Sequence, residues 1–67
     1  MNNLYFIINV PNKKPIAIAI ADSKLHGDAS VMYEAEQQGL LTYEETNTNT
    51  WYVSRISEAQ YNDIKAM

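Results

Sequence analysis

The chain has 67 residues, no cysteine and a net charge of −3, from eight acidic and five basic residues. This composition excludes disulfides, thiolate zinc sites and cysteine nucleophiles, and it argues against gripping a nucleic-acid backbone, which needs clustered Lys and Arg. Hydrophobic residues make up 46%, with no apolar run near the ~20 residues of a membrane helix. Residues 1–67 therefore read as one folded domain with no membrane contact, placed in the cytoplasm (of a host cell, if the chain is phage-encoded). The core of a domain this small supplies no more than roughly 3–5 kcal/mol of net stability. The opening Met1-Asn2-Asn3-Leu4 lacks the Lys or Arg of a secretory signal and reads as part of the fold.

Leu4 to Val10 is rich in aromatic and β-branched residues and is predicted to form a strand. Leu4, Phe6, Ile8 and Val10 share one face, with Tyr5, Ile7 and Asn9 on the other. Pro11 to Pro15 carries turn chemistry. Its Lys13-Lys14 pair reads as a solvated hairpin tip. Ile16 to Ala21 alternates Ile and Ala, so a second strand puts three isoleucines on one side. The three alanines on the other leave room for a helix or a partner.

Asp28 is a candidate N-cap for a helix over about 29–38, and Asp22 or Ser23 would start it earlier. Gly39 stops it in the left-handed conformation. Val31, Met32 and Ala35 form the apolar stripe, while Tyr33, Glu34, Glu36 and Gln37 project away. Leu40–Thr46 and Trp51–Ile56 read as a third and a fourth strand joined by residues 47–50. The best inward set is Leu41 and Tyr43 facing Trp51 and Val53. The phase of the fourth strand is open, since Tyr52, Ser54 and Ile56 serve almost as well. Ser57-Glu58-Ala59-Gln60 matches a capping box and predicts a last helix from 58 to the terminus, packing Tyr61 and Ile64.

The expected fold class is therefore α+β, a ββαββα two-layer sandwich with a mostly antiparallel four-stranded sheet and both helices on one face. Two packed hairpin units are the rival arrangement.

Catalytic chemistry finds little to build on. His26 is the only histidine, in a loop without a nucleophile elbow. With Asp22 and Asp28 it has no metal-ligand spacing of known type. The neighbouring carboxylates Glu34/Glu36 and Glu44/Glu45 do not converge on one substrate atom. The two glycines are scattered and build no phosphate loop. No cofactor, metal or catalytic residue is expected.

The remaining candidate is a binding surface: Tyr33 and Tyr52 with Glu34, Glu36, Glu44 and Glu45. Tyrosine offers interfaces a large rigid area, and carboxylates steer a basic protein partner. The Ala17/Ala19/Ala21 face and a sheet edge at Tyr5-Ile7-Asn9 form a second candidate, for strand addition or a homodimer. The leading expectation is a non-enzymatic protein-binding inhibitor that occludes a larger, nucleic-acid-handling complex. By size and composition it is analogous to the small anti-defence proteins that phages make. The alternatives are a homo-oligomeric structural or adaptor protein and a small enzyme using His26.

Overall fold

Strands form where bulky β-branched and aromatic residues run unbroken, and turns form where proline interrupts them. In the computed structural model, which describes residues 2–48 and 50–66, β1 spans Asn3–Asn9 and β2 spans Ile16–Ala21. They make the expected antiparallel hairpin, with Phe6 opposite Ile18 and Ile8 opposite Ile16. Asn12 takes a positive φ of 63° in the connecting turn, a conformation that asparagine tolerates better than most residues. The third strand, β3, is Tyr52–Ile56 and pairs antiparallel with the other side of β1. The strand order is β2-β1-β3.

Helix α1 spans Asp28–Gln37. Its N-cap is Gly27, at φ 111°, so Asp28 lies inside the first turn and does not cap it. A short 3-10 turn at Asp22–Lys24 precedes it. The end of α1 follows the sequence expectation. Gly39 has φ 77°, its N–H donates to the Glu36 carbonyl at 3.0 Å, and the Leu40 N–H donates to Ala35 at 2.9 Å. This is a Schellman stop, with half-buried Leu40 folded back onto the core.

The expected third strand does not form. Residues 43–46 are instead a single helical turn, α2, Tyr43–Thr46. The Thr42 hydroxyl accepts from the Glu45 N–H at 3.2 Å, and the Glu45 carboxylate accepts from the Thr42 N–H at 2.9 Å. These reciprocal bonds satisfy backbone donors locally, which a free strand edge would not do. Leu41 is buried as expected, but Tyr43, placed inward with it by the strand reading, is 67% exposed.

Helix α3, Glu58–Ala66, starts at the expected capping box: Ser57 and Gln60 exchange bonds of 2.9 and 3.1 Å. The two long helices lie on opposite faces of the sheet, not on one. Phe6 belongs to the core with Val31, Met32 and Ala35 of α1. The adjacent Tyr5 points the other way and meets the Tyr61 ring of α3 at 4.8 Å between centroids. Its hydroxyl donates to the Glu58 carboxylate at 2.9 Å. The result is an α+β fold of three layers, α1 and α2 on one side and α3 on the other.

The alanines of β2 account for the second layer. Ala17 is opposite Ile7 on the α3 face and only 2% exposed. A small side chain there lets α3 lie close across β1 and β2. The principal core is on the α1 side, where Ile8, Ile18 and Val31 are fully buried. No described helix is long and apolar enough to cross a membrane. Met1, Asn49 of the expected 47–50 connection and the terminal Met67 lie outside the described residues.

Candidate partner-binding surface

The surface is built on the outer side of α1 and on α2. With Val31, Met32 and Ala35 buried, the 100° step of the helix turns Tyr33 to solvent and puts Glu34 and Glu36 on its two flanks. Tyr33 is 59% exposed. Glu34 lies 4.0 Å from the Lys24 ammonium. Glu36 faces α2, with its carboxylate 3.5 Å from the Thr46 hydroxyl, which donates to the Tyr43 carbonyl at 2.9 Å. On α2, Glu44 and Tyr43 are exposed.

Glu45 has a different job. Besides the Thr42 N–H, its carboxylate binds the Lys13 ammonium at 3.1 Å, and Lys13 also donates to the Leu40 carbonyl at 3.3 Å. Lys13 is thus not a free solvated lysine. It ties the β1–β2 turn to the end of α1 and the start of α2. The Thr42 N–H first, and Lys13 second, hold the Glu45 carboxyl below its ordinary pKa.

A carboxylate with a depressed folded-state pKa contributes stability above its unfolded pKa, and that contribution is lost as pH falls through the folded value. Thermal melts should therefore show wild type more stable than Glu45→Gln at neutral pH. The difference should disappear in acid, below the ordinary carboxylate range. A constant difference across that range would contradict this role for Glu45.

The six candidate residues do not form one patch. Tyr33, Glu34, Glu36, Glu44 and Glu45 belong to the α1–α2 layer. Tyr52 is 60% exposed but is opposite Asn9 on β1, so it shares the sheet face that α3 partly covers. Tyr43 takes the place of a second exposed tyrosine beside the acidic residues. Reading 40–46 as a strand hides it, although Thr42-Tyr43-Glu44-Glu45 carries the capping-box spacing that reveals it. The other candidate edge, at Tyr5-Ile7-Asn9, is absent because β1 is the central strand and is paired on both sides.

Comparison with protein-family models, with curated proteins and with solved structures finds no match for this chain. Its chemistry therefore has to be read from the residues themselves.

An open depression of about 360 Å³ lies beside Tyr33, lined by Ser23, Lys24, His26, Ser30 and Glu34. It collects a histidine and two serines, of which Ser30 is committed to the loop. Its hydroxyl donates to the Gly27 carbonyl at 2.6 Å and accepts from the His26 backbone N–H at 2.8 Å. The pair braces the entry to α1 and directs the Ser30 proton to the Gly27 carbonyl, not to the His26 ring. Among the described residues, no three His, Asp or Glu side chains are placed to hold a metal ion. A second depression, about 410 Å³, separates the hairpin tip at Pro11 and Asn12 from Thr42, Glu44 and Glu45.

Proposed function

We propose that this chain is a small non-enzymatic protein-binding module, an inhibitor of the anti-defence kind, that occludes a basic surface on a larger, nucleic-acid-handling complex. One observation carries the reading. Tyr33 and Tyr43 stand 59% and 67% exposed on adjoining helices with Glu36 and Glu44, and among the described residues no cation lies within ion-pair reach of either glutamate. Exposed tyrosines supply large contact area at small entropic cost, and uncompensated carboxylates speed encounter with a positive surface. Four of the five basic residues, all but Lys14, point the same way. Lys13 and Lys24 are matched to Glu45 and Glu34, while Arg55 and Lys65 lie over the Phe6 and Tyr61 rings.

The test is affinity capture from a host extract with tagged wild type, Tyr33→Ala and Glu44→Lys at low and moderate salt. The expected result is one stoichiometric partner whose retention falls as salt rises. Affinity should drop about 30-fold for Tyr33→Ala, since the roughly 2 kcal/mol of an interface anchor corresponds to that factor. Glu44→Lys should also weaken binding and flatten the salt dependence. A partner indifferent to salt and to both substitutions would overturn the reading.

A further inference from the structure

The sheet has two outer edges, β2 and β3, and among the described residues only one is guarded. Edge strands are templates for further strands unless something covers or blocks them. The edge of β2 is entered through Pro15. Gln38 reaches the Ala19 carbonyl at 3.5 Å, and Ala17 is nearly inaccessible. Among the described residues, the edge of β3 has no such device. Tyr52, Ser54 and Arg55 are exposed, and the strand contains no proline or glycine.

Register determines which peptide groups β3 offers. The Asp22 N–H donates to the Asn2 carbonyl at 3.1 Å, and Asn3 is opposite Ala21. In an antiparallel ladder this makes Leu4, Phe6 and Ile8 the residues that bond to β2. Tyr5, Ile7 and Asn9 then bond to Ile56, Ser54 and Tyr52 of β3. The peptide groups of Val53 and Arg55 are left pointing outward, with no backbone partner among the described residues.

We propose that the β3 edge binds a second copy of this chain, antiparallel, with the two-fold axis at Ser54. The segment Tyr52-Val53-Ser54-Arg55-Ile56 is self-complementary in that register. Val53 of one copy exchanges N–H and C=O bonds with Arg55 of the other, and the reverse. On the α3 face, exposed Tyr52 lies opposite Ile56 of the other copy, an aromatic–aliphatic pair of the stabilising type. Shifting the axis to Val53 breaks these pairs, and shifting it to Arg55 puts two guanidinium groups directly opposite each other. The Ser54 register avoids both. Arg55 does not guard the edge against this pairing, because its guanidinium lies 5.8 Å from the Phe6 ring centroid on its own sheet. Helix α3 starts just after β3 and packs mainly on β1 and β2, away from this edge. The surface is separate from the α1–α2 face, so the dimer and the acidic binding face stand or fall independently.

The experiment uses the full chain. Ser54 is exposed, so changing it should leave the monomer fold intact, as circular dichroism would confirm. Directly opposed residues at a non-hydrogen-bonded antiparallel pair have Cα atoms about 4.5 Å apart, within disulfide range. In a chain without other cysteines, Ser54→Cys should oxidise to a covalent dimer in far higher yield than Gln37→Cys on the exposed side of α1. Sedimentation of wild type should show a monomer–dimer equilibrium. Ser54→Glu, which brings two like charges together on the axis, should raise its dissociation constant at least about tenfold. Monomeric wild type, a dimer unaffected by Ser54→Glu, or equal crosslinking of the two cysteine variants would each overturn the proposal. A monomer that accepts a strand from another protein counts among these failures.

Discussion

Ile8→Ala is expected to leave much of the chain unfolded at 25 °C and neutral pH. Ile8 sits in the central strand between Ile16 and Val53 and has no accessible surface. Removing its outer carbons costs about 2–5 kcal/mol once the residual cavity is included. A domain of this length holds only roughly 3–5 kcal/mol in all, so the two numbers nearly cancel. Ile8→Val should cost about 0.5–1.5 kcal/mol and stay folded. Urea titrations followed by circular dichroism separate the two. If Ile8→Ala unfolds cooperatively with less than about 1 kcal/mol lost, the α1-side core is not the main support of the fold.

Ala17→Leu should have the next largest effect, by a different route. Ala17 faces α3, opposite Ile7, and is almost fully covered. Three added carbons have nowhere to go without pushing the helix away, and overpacking of this kind costs about 1–3 kcal/mol. Because α1 lies on the other face, the damage should be local. Amide exchange should speed up in α3, with weakening of the Tyr5–Tyr61 contact, while α1 keeps its protection. Faster exchange in α1 alone would mean that the helices are not divided between the faces as described.

Both expectations depend on the helices taking opposite sides, which the sequence does not reveal. β1 is apolar on both faces: Phe6 and Ile8 on one, Tyr5 and Ile7 on the other. Period-2 alternation between apolar and polar residues usually names the solvent side, and here it is missing. The alternation of Ile and Ala in β2 does say that one side needs a close neighbour. It does not say whether that neighbour is a helix of the same chain or a partner. The same ambiguity splits the candidate binding residues. Tyr33 and Tyr52 both read as outward on their own elements, yet outward from α1 and outward from β3 are different sides of the molecule.

What the sequence determined by itself is local. The β1–β2 hairpin follows from two β-rich runs around a Pro-bracketed turn, the end of α1 from Gly39, and the start of α3 from Ser57 and Gln60. In each case the residues that specify the feature lie within a few positions of it. Residues 40–46 read as a strand at that range, because strand-forming Leu, Thr and Tyr overlap and mask the Thr42–Glu45 capping box. The box prevails because its two bonds close within one turn, without a neighbouring strand. Tertiary structure alone decided the rest: the strand order, the face taken by each helix, the capture of Lys13 by Glu45 and Leu40, and the open edge of β3. These depend on contacts between residues distant in the chain, such as Tyr5 with Glu58, 53 positions apart, and Tyr5 with Tyr61. No local pattern encodes them, because packing the whole chain selects among faces that are equally apolar.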